Sequence, residues 1–223
     1  MGQHGGPLNK AISNLALSLD ASNLTSYAGS GNTSYDLITK TVVTLSSVTF
    51  SSSGTLSYYI FSGAGNITSS SNVGISGANS RTISCWAYFT SKAIQSLMCI
   101  GVNGAGTGWG IETSSTVFNL SKGNSGTVTG ITYTTGQWYN IVYVGQNLSA
   151  NSLTISLYIN GSLQYSGTDT SINTTDSTLK LGTNNAGTLA FNGRISQAKV
   201  YNKALSADEI KKNYDGSKSK FGL

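Results

Sequence analysis

The chain has 223 residues and a net charge of +5, but only 9% of its residues are charged, well below the roughly one quarter typical of soluble domains. A single Pro and no long linker give no domain boundary, while 12 Tyr, 3 Trp and regular apolar alternation predict one packed domain rather than disorder. Lys211, Lys212, Lys218 and Lys220 all fall in the last segment and no basic stripe crosses the chain, so the composition disfavours nucleic-acid binding.

The first half of the chain predicts short strands separated by Ser- and Gly-rich turns. From Leu15 to Leu19 every second residue is leucine, the period-two pattern of a half-buried strand, and Asp20 then points away from the leucines. The segment Tyr27 to Tyr35 contains two glycines and is predicted as a loop at one end of the domain. Further strands are predicted at Thr41–Phe50, Ser57–Phe61, Asn72–Ser76, Arg81–Phe89 and Gln95–Val102. Because Arg81–Phe89 is apolar on both faces, we expect it to be central.

The second half continues this pattern. Strands are predicted at Trp109–Thr113, Thr116–Leu120, Val128–Tyr133, Trp138–Val144, Leu153–Ile159 and Leu163–Ser166. The near-continuous apolar run Trp138–Val144 indicates burial on both faces. Asn160 and Gly161 favour a two-residue type I′ hairpin, because both tolerate positive φ. About a dozen short strands with one late helix predict an all-β fold, a two-sheet antiparallel jelly-roll sandwich.

The last strand and the helix carry the most specific local signals. Ile195 is out of step with Ala198 and Val200, so a bulge must intervene if all three face one core. Ser206 followed by Glu209 predicts a capping box, in which each residue's side chain accepts from the other's backbone N–H, so the helix begins at Ser206.

The ends of this helix are predicted from its flanking residues. Leu205 and Ile210 stand at the two positions of a hydrophobic staple. Gly216 stands where a left-handed C′ glycine would end the helix.

The order of several segments resembles a known family. They are LALSLDASNLTSY, RTISCWAYF, GQWYNIVYV, LYINGSLQYSG, LKLGTNNAGTLAFNGRIS and VYNKALSADEIKKNY. Together, from Leu15 to Tyr214, they resemble the laminin-G-like, concanavalin A-like jelly-roll domains, and the LDASN opening is most similar to those of tailed-bacteriophage structural proteins. The resemblance implies the fold but no single activity, since this sandwich carries lectins, enzymes, adhesion modules and virion proteins.

Both chain ends are predicted to lie outside the sandwich. We assign residues 1–14 to a flexible N-terminal arm, residues 15–215 to the laminin-G-like sandwich and residues 216–223 to a basic C-terminal tail, in which Phe221 could anchor a neighbouring chain. The N-terminal stretch has no apolar run of the length of a secretory signal, and no segment approaches the ~20 apolar residues of a membrane span. We therefore expect a protein made in a host cytoplasm and placed in a virion, with an extracellular location as the alternative.

The titratable residues argue against catalysis. The only glutamates are Glu112 and Glu209, and the only histidine is His4, so neither a carboxylate pair nor a Ser-His-Asp triad is indicated. We expect no enzymatic activity. Cys85 and Cys99 lie among apolar neighbours, which favours free buried thiols over a disulfide.

No cofactor is predicted. The resemblance implies that Ca²⁺ could bind at the rim of the sandwich. The sequence nevertheless has no ligand cluster among the available aspartates, Asp20, Asp36, Asp169 and Asp176. A lone Asp beside a turn more often accepts backbone N–H groups, and for Asp20 we expect such a structural role.

Sugar binding calls for an exposed aromatic plane beside polar donors. Trp109, inside GAGTGWG, is the first candidate, because its glycines suggest a loop edge; Tyr27 and Tyr35 come next. The alternative is that Trp109 packs under a loop.

Two classes of function follow from these observations. The first is a non-enzymatic virion protein, a capsid decoration, fibre or appendage component present in many copies or as a homo-oligomer. Its partners would be other virion proteins, reached through the N-terminal arm, and a cell-surface glycan, with no nucleic-acid or membrane partner. The second is a carbohydrate-binding module of a secreted bacterial protein.

Overall fold

The computed structural model describes residues 14–223, which contain sixteen β-strands and one α-helix. The predicted N-terminal arm, residues 1–14, lies outside the described residues except for Asn14. Sheet A comprises β1 (Leu15–Asp20), β4 (Thr49–Ser53), β5 (Leu56–Ser62), β7 (Arg81–Phe89), β12 (Trp138–Ser149), β13 (Ser152–Ile159), β14 (Ser162–Thr170) and β16 (Asn192–Tyr201). Sheet B comprises β2 (Thr33–Tyr35), β3 (Val42–Ser46), β6 (Asn66–Asn72), β8 (Gln95–Gly101), β9 (Gly108–Ser114), β10 (Val117–Ser121), β11 (Gly126–Thr132) and β15 (Thr178–Leu181).

All strand pairs are antiparallel. Sheet A has the order β14-β13-β12-β7-β16-β5-β4, with β1 also pairing with β16, and sheet B has the order β11-β10-β9-β8-β15-β6-β3-β2. The predicted two-sheet sandwich is confirmed, and β7 is central as expected. Alternating residues of both sheets bury one continuous core, and β12 is buried on both faces over its first half.

Two strand predictions and one loop prediction need correction. The predicted strand Thr41–Phe50 is divided between β3 and β4 in different sheets, because Ser47 has a φ of 52° and turns the chain between them. The strand expected at Asn72–Ser76 lies earlier, at β6, because the side chain of Asn72 accepts from Gly74 N at 2.8 Å and forms a turn. The predicted loop Tyr27–Tyr35 ends in β2.

Local signals near the C-terminus are confirmed. Asn160 and Gly161 have φ of 51° and 77° and join β13 to β14 as a type I′ hairpin. The register of β16 shifts between Ile195 and Gln197, which brings Ile195, Ala198 and Val200 into the core together.

Helix α1 spans Ala207–Asp215 and has the predicted capping box. Glu209 N donates to Ser206 Oγ at 3.3 Å, and Ser206 N donates to Glu209 Oε2 at 3.0 Å. Leu205 and Ile210 are buried together against Val142, so the helix docks on the outer face of sheet A.

The segment after α1 differs from the predicted free tail. Helix α1 ends directly before Gly216, as predicted, but Gly216 has a φ of −70° and not the left-handed conformation expected, and the chain continues into a 3₁₀ helix, Lys218–Phe221. The Phe221 ring is buried and stacks on Trp86 with 3.8 Å between centroids, and Trp86 Nε1 donates to Ser217 Oγ at 3.2 Å. Phe221 therefore anchors its own domain and is not free to anchor a neighbouring chain.

The two cysteines are free and buried, as predicted. Cys85 lies on β7 and Cys99 on β8, in different sheets, and burial raises the pKa of each thiol to about 12. Within residues 14–223, no helix has the length and apolar character needed to cross a membrane.

Candidate functional site: a polar cleft on sheet B

A cleft of about 370 Å³ opens on the outer face of sheet B. Its floor is formed by strands β9 and β10, and its walls are the β8–β9 loop, the β10–β11 turn and the β15–β16 loop. The side chains that reach into it are mostly amides, hydroxyls and small residues, and among the described residues none of them is aromatic. We call this feature the sheet-B cleft; its polar lining comprises Asn103, Glu112, Asn119, Asn124, Ser125, Asn184 and Thr188.

The floor residues reach the cleft because of strand alternation. On β9, Trp109 and Ile111 point into the core, so Glu112 points to the opposite face. Asn119 is the direct partner of Glu112 on β10, and Ser96 is its partner on β8. Ser96, Glu112 and Asn119 therefore form one polar row across three neighbouring strands.

Glycines bring two of the walls close together. A Cβ on Gly123, which has a φ of 103°, would lie 1.9 Å from Gly104 O, and a Cβ on Gly108 would lie 2.8 Å from Gly123 Cα. Gly106 N also donates to Lys122 O at 2.8 Å. The β8–β9 loop and the β10–β11 turn can make this backbone contact only without side chains at Gly108 and Gly123.

The β15–β16 loop is held by two asparagines. Asn184 Oδ1 accepts from Thr188 N at 2.8 Å and from Leu189 N at 3.3 Å, which closes the loop on itself. Asn185 Nδ2 donates to Ile100 O at 3.2 Å and Gly101 O at 2.6 Å, which fastens the loop to the end of β8. This wall of the cleft is therefore preformed by its own hydrogen bonds.

Two floor residues of the cleft carry a buried side-chain oxygen that has no hydrogen-bond partner among the described residues: Glu112 Oε1 and Asn119 Oδ1. Ser96 Oγ also has no partner, but Ser96 is fully buried and does not line the cleft. Glu112 is 7% exposed, and its burial raises the pKa of the carboxyl group, an effect that the Ser121 and Asn119 side chains oppose. A buried acceptor without a donor costs about 1–3 kcal/mol, so a hydroxyl or amine donor in the cleft would stabilise Glu112 and Asn119 once their side chains turn toward it.

Trp109 is not the exposed aromatic plane that the sequence suggested. Its side chain is fully buried, and its ring stacks on Tyr143 from the facing sheet, with 3.9 Å between centroids and 6° between planes. The neighbouring glycines have another cause: a Cβ on Gly110 would lie 2.8 Å from Cys99 Cβ. Trp109 therefore packs in the core between the two sheets, and not under a loop as the alternative had it.

The two tyrosine candidates lie away from the cleft and from Trp109. Tyr27 is buried, its hydroxyl donates to Gly31 O at 2.7 Å, and its ring packs 5.0 Å from the Phe50 ring, so Tyr27 offers no open face. Tyr35 is 45% exposed on β2, the edge strand of sheet B, with four strands between it and β9. No sequence pattern singled out Glu112 for this cleft, although the alternation of Trp109 and Ile111 already places Glu112 on the opposite face.

Three of the aspartates considered as Ca²⁺ ligands make structural contacts away from the sheet-B cleft. Asp20 accepts from Ser22 N at 2.9 Å and from Gln197 Nε2 at 2.8 Å, which is the structural role expected of it. Asp36 accepts from three backbone N–H groups and one hydroxyl, and Asp169 pairs with Lys122 at 2.9 Å. Among residues 14–223, no three His, Cys, Asp or Glu side chains group together as metal ligands would.

Fold and cleft together define a lectin-like antiparallel sandwich with a polar groove on one sheet. The chain belongs to the concanavalin A-like lectin/glucanases superfamily, because the laminin-G family model with that description matches residues 61–211. A search of curated proteins finds no significant sequence match.

Solved structures share this fold at low sequence identity. Domain 4 of AbnA, an extracellular arabinanase from Geobacillus stearothermophilus in complex with arabinotriose, is 14% identical with a TM-score of 0.67, and the match covers 89% of this chain and 97% of that one. The binding domain of Paraclostridial Mosquitocidal Protein 1 is 16% identical with a TM-score of 0.67, over 93% of this chain and 53% of that one. The Trypanosoma rangeli sialidase in complex with sialic acid is 13% identical with a TM-score of 0.68, over 94% and 34%. The chain thus spans about half of the toxin domain and a third of the sialidase, and these likenesses establish the fold alone.

Proposed function

We propose that this protein is a glycan-binding module that holds a sugar in the sheet-B cleft. The observation that carries the proposal is the polar lining of the cleft, where Glu112 and Asn119 hold acceptor oxygens without donors among several asparagine side chains. Sugar hydroxyls are donors of the kind these acceptors lack, and the surrounding asparagine amides can both donate and accept. The arabinotriose complex of a similarly folded domain supports the same reading by analogy.

Binding, and not hydrolysis, is the proposed activity. Hydrolysis of glycosides usually needs two carboxyl groups on either side of the scissile bond. Of the described residues that line the cleft, Glu112 alone has a carboxyl group. We expect the purified protein to bind oligosaccharides without releasing reducing ends.

The proposed setting is a bacteriophage virion, where the module would serve as a decoration, fibre or appendage component contacting other virion proteins and a cell-surface glycan. The setting is proposed from the phage-like LDASN opening expected in the sequence analysis, and the sparsely charged composition supports it. Many copies on one particle would convert weak single sites into strong attachment. The alternative is a carbohydrate-binding module of a secreted bacterial protein. Co-purification with assembled particles supports the first setting, and association with a secreted hydrolase supports the second.

A steric block of the cleft tests the proposed site. Ala186 is exposed and lines the cleft, whereas Ala150 is exposed on the turn after β12, in sheet A. Ala186→Trp should fill the groove and abolish binding on an array of neutral oligosaccharides, while Ala150→Trp should bind like the wild type.

Removal of single polar groups provides a second test. A hydrogen bond to a charged group contributes roughly 1.5–3 kcal/mol, so Glu112→Ala should weaken binding at least about tenfold in calorimetric titrations. Tyr35→Ala, which removes an exposed aromatic ring outside the cleft, should leave the Kd unchanged. A loss of binding in Tyr35→Ala with full binding in Glu112→Ala would move the site to the edge of sheet B and refute the cleft.

A further inference from the structure

The described lining of the sheet-B cleft has one acidic side chain and no basic side chain. Glu112 is the one charged side chain among the described residues that line it, and no Lys, Arg or His of that set faces the groove. An anionic ligand would find no cation there, whereas neutral and cationic ligands meet no like charge.

The lysines on neighbouring segments are already engaged. Lys180 Nζ donates to Asn185 O at 3.0 Å, beneath the β15–β16 loop. Lys122 Nζ pairs with Asp169 Oδ1 at 2.9 Å and donates to Thr170 O at 3.2 Å, on the side of the turn towards β14. To neutralise a ligand carboxylate, either lysine would have to give up contacts that hold a wall of the cleft.

The hydrogen-bonding groups of the cleft favour the same ligands as its charge does. The oxygens of Glu112 and Asn119 that lack partners are acceptors, so donors on a ligand suit this floor better than further acceptors do. A carboxylate or sulfate on a sugar supplies acceptors only, and a buried like-charge contact with Glu112 disfavours it strongly. An amino group supplies up to three donors and a charge opposite to that of Glu112.

We infer that the sheet-B cleft selects neutral and amino sugars and rejects sialic acids, uronic acids and sulfated sugars, with Glu112 as the residue that sets this specificity. The inference rests on the proposed function and refines it by naming the class of glycan. The discrimination between neutral and acidic sugars comes from the Glu112 carboxyl group, which has no cationic neighbour in the cleft.

The test compares sugars that differ only in charge. Calorimetric titrations would use galactose against galacturonic acid and glucose against glucosamine, each as a short oligosaccharide of matched length. The wild type should bind the neutral galactose series at least about tenfold more tightly than the galacturonic series, and glucosamine at least as tightly as glucose.

Glu112→Gln isolates the charge, because the amide has nearly the shape of the carboxyl group. This variant should reduce the neutral-to-acidic ratio to below about threefold, mainly by improving the acidic series. Asp208→Asn is the matched control: it removes the same charge from an exposed residue of α1, on the opposite face of the sandwich, and should leave the ratio unchanged.

The outcomes separate this inference from the function on which it rests. If no sugar of any charge binds, the proposed function fails and the inference fails with it. If neutral and acidic sugars bind equally, or if Glu112→Gln leaves the ratio at its wild-type value, glycan binding stands and the inference alone is overturned.

Discussion

Truncation of Phe221 tests whether the last residues of the chain belong to the sandwich. Phe221 is 7% exposed, its ring stacks on Trp86, and the Trp138 ring lies 5.2 Å away between centroids. Burying a phenylalanine side chain contributes about 1.5–3 kcal/mol, and an aromatic pair about 0.5–1.5 kcal/mol more. Because a chain end can yield to a smaller side chain, we expect Phe221→Ala to lower the free energy of unfolding by about 2–4 kcal/mol.

Urea denaturation followed by tryptophan fluorescence measures this loss, since Trp86 and Trp138 both pack against the Phe221 ring. In a domain of this size the Tm should fall by roughly 4–16 °C. Leu223→Ala, at a residue 45% exposed in the same segment, is the control and should change stability by less than about 0.5 kcal/mol. If Phe221→Ala is as stable as Leu223→Ala, the C-terminal segment is not docked and the tail is free.

Three further predictions concern the cap, the cleft wall and the buried carboxyl group. Ser206→Ala removes the oxygen that accepts from Glu209 N and should cost about 0.5–2 kcal/mol in thermal unfolding. Gly123→Ala places a methyl group on the Gly104 carbonyl in a backbone conformation that suits glycine, so it should destabilise the fold by more than about 1 kcal/mol and weaken sugar binding; an unchanged Tm would contradict the close approach of the two loops. Burial raises the pKa of Glu112 above 4.5, its ordinary value, so the folded state binds more protons than the unfolded state. The contribution of Glu112 to the free energy of unfolding should therefore fall as the pH rises from about 4.5 through the raised pKa. Glu112→Gln should therefore gain stability relative to the wild type between pH 4 and pH 7 in thermal scans, and a constant difference across that range would refute the raised pKa.

Features that depend on a few neighbouring residues could be predicted from the sequence. The Asn160-Gly161 hairpin needs only two residues that tolerate positive φ, and the Ser206–Glu209 box needs only a hydroxyl and a carboxylate three residues apart. The bulge after Ile195 follows from the parity of three apolar residues on one strand. Each of these is settled by backbone geometry within one turn or strand.

Features that depend on distant segments could be decided only by the tertiary structure. Gly216 follows the last residue of α1, as its pattern predicts, but nothing in the local sequence shows that Phe221 beyond it docks on Trp86, which is far away in the sequence. The glycines around Trp109 are typical of a loop in the sequence. In the structure they let neighbouring backbones approach closely, and the Trp109 ring stacks on Tyr143 of the other sheet.

The sheet-B cleft shows the same division. Strand alternation by itself determined that Glu112 leaves the core, since period two fixes the face of every residue on a strand. Whether that face meets solvent or a groove was decided by the pairing of β9 with β8 and β10 and by three loops that converge from residues 102–107, 122–125 and 184–189. Burial of Glu112 is a property of that convergence, because only surrounding segments can remove a polar side chain from water.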